Sequence, residues 1–130
     1  MRYYVSKIIE GVSFDAMVER VVGVLKAEGF GVLTDIDVQA TMKQKIGADF
    51  RPYRILGACN PALAYRALTA EDKIGTMLPC NVIVQELGSG RVEVAAIDPS
   101  ASMKTIGNPA LTAIAAEVAA RLERVIAQSG

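Results

Sequence analysis

The chain has 130 residues, 52% apolar and 22% charged, which excludes a disordered chain and suits one domain around a single buried core. The 14 basic side chains are balanced by 14 acidic ones, so no surplus of Lys and Arg offers a footprint for nucleic acid. Mean hydropathy is high at +0.31, yet no apolar run reaches the roughly 18 to 20 residues of a membrane helix.

The apolar surplus is therefore expected to be core, or a patch that a partner covers, which favours an oligomer. Histidine is absent. That removes an imidazole base for a Ser or Cys nucleophile, His-ligated zinc and the HExxH motif. Two cysteines are too few for a disulfide scaffold. Met1-Arg2 leads straight into Tyr3-Tyr4-Val5 without the apolar segment of a signal peptide. A cytoplasmic protein with reduced thiols is the expectation.

Tyr3 to Ile9 is rich in β-formers and predicts a first strand, broken by Gly11. Ser13 is a natural N-cap with Asp15 in the first turn. Phe14, Met17, Val18, Val21, Val24 and Leu25 then recur at helical spacing, and Gly29 is placed to end that helix in a left-handed conformation. Gly31 to Val38 predicts a second strand, with Val32, Thr34, Ile36 and Val38 on one face and Leu33, Asp35 and Asp37 on the other. Gln39 to Ile46 carries a weak helical stripe that Gly47 stops. Tyr53 to Ala58, opened by Pro52, predicts a third strand.

Asn60-Pro61 is a strong helix-start signal, with Asn as N-cap and Pro as first helical residue. That helix runs to about Thr69, and Glu71-Asp72-Lys73 reads as a polar loop. Pro79 to Leu87 predicts a strand, Gly88-Ser89-Gly90 a hairpin turn, and Arg91 to Ile97 its antiparallel return, ended by Asp98-Pro99. Asn108-Pro109 repeats the capping device before Leu111, Ile114, Ala115, Val118, Leu122, Val125 and Ile126 form one long stripe. The order β-α-β-α-β-α-β-β-α predicts a single α+β domain over residues 1–130. Its architecture should be two-layered, a mainly antiparallel sheet with helices packed on one face.

The run Tyr53-Arg54-Ile55-Leu56-Gly57-Ala58-Cys59-Asn60-Pro61, followed by Ala64, Leu68, Gly75, Leu78-Pro79-Cys80-Asn81-Val82 and Asp98-Pro99, resembles the family called domain of unknown function 302. The likeness covers nearly the whole chain, and its two Cys-Asn segments are the most distinctive part. The resemblance implies a small bacterial or archaeal cytoplasmic protein, an α+β fold like the TATA-binding-protein-like folds, and a homodimer. It implies no reaction. A contextual hint connects some members with sulfur or redox genes.

Cys59 and Cys80 are the candidate chemical groups. Read functionally, they converge, with Cys59 and Asn60 at a helix N-terminus, where amides and the helix dipole lower a thiol pKa and attract anions. The pair would then be a redox couple or nucleophile, or would supply metal ligands, four thiolates across a dimer. Read structurally, both are small buried hydrophobes, Asn60-Pro61 is capping, and Pro79 opens a strand. Asn81 stands apart, because an unpaired amide inside an apolar strand costs about 1–3 kcal/mol and should have a partner.

The candidate ligand-binding set is thus Cys59, Asn60, Pro79, Cys80 and Asn81. Asp35 and Asp37 have the spacing of an acid/base pair, although a solvated or edge-protecting role is the commoner one. Lys43, Lys45, Arg51 and Arg54 make a local basic cluster that would meet an anion or simply face solvent. The glycines form neither a phosphate loop nor a dinucleotide fingerprint, and no cofactor is indicated.

These features support three functions. The first is a cytoplasmic homodimer that binds a small ligand or metal in a pocket at the two Cys-Asn segments. The second is a thiol-dependent redox or sulfur-related enzyme using Cys59 and Cys80, and the third is a structural dimerisation module.

Overall fold

The computed structural model describes residues 2–130. Five strands form one antiparallel sheet: β1 (Tyr4–Glu10), β2 (Gly31–Asp37), β3 (Tyr53–Cys59), β4 (Cys80–Gly88) and β5 (Arg91–Ile97), in spatial order β1-β5-β4-β3-β2. The helices are α1 (Phe14–Ala27), α2 (Val38–Ile46), α3 (Pro61–Ala70), α4 (Pro99–Ser102) and α5 (Pro109–Gln128). This is the expected α+β fold with helices on one face.

Alternation along the strands makes that face apolar. Leu56 and Ala58 of β3, Cys80, Val82 and Val84 of β4, and Val92, Val94 and Ala96 of β5 are all buried. Against them lie Met17, Val18, Val21 and Leu25 of α1, and the α5 stripe from Leu111 to Ile126. Full burial of one such side chain stabilises by about 1.5–3 kcal/mol.

The helix ends follow the local chemistry. Ser13 accepts from the Ala16 N–H, and Asn60 and Asn108 accept from Leu63 and Ala110, each with Pro in the first turn. Asp98, expected only to end a strand, uses the same device to start the short α4 by accepting from the Ser100 N–H. Gly29, at φ +87°, closes α1 as expected. Asn108 also donates its Nδ2 to the Ala70 carbonyl at 3.0 Å, which ties the start of α5 to the end of α3.

Three local expectations are corrected. A bulge between Val32 and Thr34 shifts the β2–β3 register, so the simple alternation across β2 does not hold. Val38 belongs to α2, because Asp37 caps that helix by accepting from Ala40. The stretch after α3 is a 3-10 turn, Asp72–Met77, that buries Ile74, where a polar loop was expected.

Among the described residues, α1, α3 and α5 pack on the first face and leave the opposite face more open. Its strands present Ile8, Ile36, Ile55, Ile83, Gln85 and Glu93, and Ile8 and Ile36 are each 46% exposed. No helix among the described residues is long and apolar enough to cross a membrane.

Candidate functional site: an apolar cavity at the end of the sheet

The end of β3 and the start of β4 lie side by side, with Ala58 opposite Cys80 and Gly57 opposite Asn81. Just past these strand ends the chain turns into α3 on one side and comes from the 3-10 turn on the other. α5 crosses above, and α4 closes the flank. The elements do not meet completely. Between them lies a cavity of about 320 Å³.

The cavity wall is almost wholly apolar. Sheet and loop contribute Phe30, Leu33, Ala58, Leu78 and Pro79; α3 contributes Leu63, Ala64, Ala67 and Leu68; α5 contributes Leu111, Ile114, Ala115 and Val118. Pro99 and Met103 complete the flank. Three side chains bring other chemistry: Cys59, Asn60 and Cys80.

Of the five residues expected to bind a ligand, four line this cavity: Cys59, Asn60, Pro79 and Cys80. Asn81 does not. Antiparallel pairing sends consecutive side chains to opposite faces, so Asn81 emerges on the bare face of the sheet, in a shallow groove with Tyr4, Tyr53, Ile83 and Gln85. It is exposed, so water satisfies its amide and it needs no buried partner.

The two cysteines are free thiols, Cys80 buried and Cys59 half-buried. Because Cys80 is registered with Ala58, Cys59 is one position off and leaves the strand on the other pleat. Burial in apolar surroundings pushes the Cys80 thiol up to about 11, and the nearby Cys59 adds to the rise. Cys80 is therefore a protonated, uncharged wall group at neutral pH. Among the described residues no three His, Cys, Asp or Glu side chains come together as metal ligands.

Asn60 performs its capping role at the rim. Its Oδ1 accepts from the Leu63 N–H at 3.1 Å. Its Nδ2 lies against Gly29, where an added Cβ would stand 3.0 Å from it and 3.1 Å from the Arg121 Nη1. Arg121 is occupied, donating to the Glu28 carbonyl at 3.1 Å and to Glu117 at 3.0 Å.

The other charged candidates lie away from the cavity. Asp35 forms a bidentate pair with Arg54, and those hydrogen bonds hold its carboxyl below the ordinary value. Asp37 caps α2, so each of the two carboxylates has a structural partner of its own. In the basic cluster, Lys43 binds Asp49, Arg54 binds Asp35, and Arg51 lies over the Phe50 ring.

Sequence reasoning placed a pocket at the Cys-Asn segments but did not find its apolar walls. Met103, Pro99 and the α5 residues read as ordinary core, because an apolar stripe has the same spacing whether it meets a side chain or a space. The high mean hydropathy was the available signal, and it is equally met by core, by a partner-covered patch or by an apolar cavity wall.

The family model described as Domain of unknown function DUF302 matches residues 5–129. A crystal structure of an uncharacterized conserved protein DUF302 from Bacillus stearothermophilus is similar over 100% of both chains, with 30% sequence identity and a TM-score of 0.91. No curated protein matches. With the family model and the full-length structural likeness in agreement, the chain belongs to the DUF302 family.

Proposed function

We propose that the protein binds a small apolar molecule in the cavity at the Cys59-Asn60 and Pro79-Cys80 segments, and works as a homodimer. The cavity carries this reading. Its volume of about 320 Å³ lies at the lower end of the 300–1,000 Å³ typical of ligand sites, and its composition, apolar with few polar groups, is theirs too. Protein interiors otherwise close to the density of organic crystals, and unfilled apolar space costs stability. A space this large between α3, α5 and the sheet is best explained by an occupant.

The thiol chemistry favours an organic ligand over a metal or a redox pair. A redox pair would have to join two sulfurs of the one cavity wall, and burial holds the Cys80 thiol protonated, which disfavours thiolate exchange. A nucleophile needs a thiolate, and Cys80 is held protonated. A metal would need both chains of a dimer to supply thiolates, one of them from a buried wall position. Free thiols also suit a reducing, cytoplasmic setting.

The dimer contact in this reading is the bare face of the sheet. Ile36, Ile55, Ile83 and Ala95 form an apolar row across it, while Glu10, Arg91, Gln85 and Glu93 lie to one side of that row and supply polar groups of both charge signs. Apolar surface edged by polar groups is the usual anatomy of an interface, and a two-fold axis buries the same patch on both copies.

Binding is tested by calorimetry with 2-ethylnaphthalene, a two-ring hydrocarbon, on the wild type and on Ala64→Phe, which fills the cavity from α3. Saturable binding to the wild type that is lost in the folded variant is expected; equal binding to both would contradict the assignment. Light scattering tests the dimer: Ile83→Asp should convert a wild-type dimer to monomer, and a monomeric wild type would remove the claim.

A further inference from the structure

Resting on the apolar-ligand reading, we infer that the cavity selects a neutral ligand bearing one hydrogen-bond acceptor, such as a ketone or aldehyde on an apolar body, and that the side-chain NH2 of Asn60 reads that acceptor. The inference comes from which polar groups of the wall are already engaged. An Asn side chain has one acceptor oxygen and two N–H donors. Here the oxygen is committed to the Leu63 N–H at the start of α3, and that bond also fixes which end of the amide is nitrogen.

The nitrogen is available. It makes no hydrogen bond among the described residues, and no buried side-chain N or O there lacks a partner, so the NH2 retains accessible surface. Gly29 leaves room for it: its left-handed φ of +87° closes α1, and a Cβ at this position would press on Nδ2 at 3.0 Å. Asn60 lines the cavity, and its uncommitted NH2 is the strongest neutral donor among the lining side chains.

Charge is excluded by the same accounting. The wall holds no carboxylate, Lys or Arg. Arg121, the cation beside Asn60, has its guanidinium engaged by Glu28 and Glu117. An ionised ligand would lose its water and meet no opposite charge, which is strongly unfavourable. A ligand with only a donor would find an Asn60 oxygen already in use and weakly accepting sulfurs.

Size narrows the class further. The volume of about 320 Å³ is about twice the ~150 Å³ apolar cavity that holds benzene, which suits two fused rings or a body of about ten carbons.

The test measures dissociation constants for 2-acetylnaphthalene, 2-ethylnaphthalene and 2-naphthoate, by calorimetry, on the wild type and Asn60→Asp. Asp caps a helix as well as Asn does, so the variant keeps α3 while losing the amide donor; its melting curve checks the fold. The ratio of ketone to hydrocarbon affinity should fall about tenfold in the variant, the scale of one lost hydrogen bond. Naphthoate should bind the wild type most weakly of the three. If both neutral compounds bind and the ratio is unchanged, the role of Asn60 is overturned while the apolar-ligand reading stands. Tightest binding by naphthoate would overturn the neutral selectivity. If neither neutral compound binds, both the inference and the reading beneath it fail.

Discussion

Cys80 and Asn81 are neighbours on β4, yet they belong to different parts of the molecule. Cys80 is buried in the wall of a cavity roofed by α3 and α5; Asn81 stands in water on the bare face of the sheet. One residue of strand register separates a group whose thiol is held protonated by burial from one whose amide is freely solvated. The contrast teaches that the shared phrase Cys-Asn does not mark one site twice. In the first copy, Cys59-Asn60, the Asn turns the chain into a helix and reaches the cavity rim. In the second, the strand continues and the Asn is carried to the other side.

The difference between the faces has consequences for stability. Leu56, fully buried on the helix side of β3, should lose about 2–5 kcal/mol when replaced by Ala, whereas Asn81→Ala should change stability by no more than about 0.5 kcal/mol. Urea unfolding measures both in the monomeric Ile83→Asp background, where a comparable loss at Asn81 would contradict its solvated position in the single chain.

Gly57 sharpens the boundary between the two regions. It lies opposite both Thr34 and Asn81. A Cβ on it would meet the Thr34 Oγ1 at 2.1 Å and the Pro79 Cγ at 2.7 Å. Gly57→Ala should therefore cost about 1–3 kcal/mol through overpacking. Thr34→Ala in the same chain should restore only part of it, since the rigid ring of Pro79 remains.

A small, pH-dependent effect is expected at the far end of β2. The Arg54 hydrogen bonds lower the Asp35 pKa from 3.8. A carboxylate lowered in the folded state contributes stability that is present above its unfolded value and is lost as the pH falls through the folded one. The pair is partly exposed, at 38% for Asp35 and 27% for Arg54, so the contribution is under about 1 kcal/mol. Asp35→Asn should thus be slightly less stable than the wild type at neutral pH, and the gap should close on acidification below pH 3.8.

Much of the fold was legible because its signals are local. Capping pairs, the α1 and α5 stripes and the Gly88-Ser89-Gly90 hairpin each depend on residues near in sequence, and the element order follows from them. The bulge at Val32/Thr34 depends on pairing between β2 and β3, which a single strand does not carry. The site was half legible for the same reason. Cys59, Asn60, Pro79 and Cys80 stood out by type, but the face on which Asn81 emerges depends on strand register, and the cavity depends on how far α5 stands from the strand ends.

Nuclear Overhauser contacts between bound 2-acetylnaphthalene and the protein's methyl groups test the central claim most directly. Contacts to Met103, Leu111 and Ile114, with none to Ile8 or Ile83, are the predicted result. Contacts confined to Ile8 and Ile83 would place the ligand on the bare face and contradict the assignment of the cavity as the binding site.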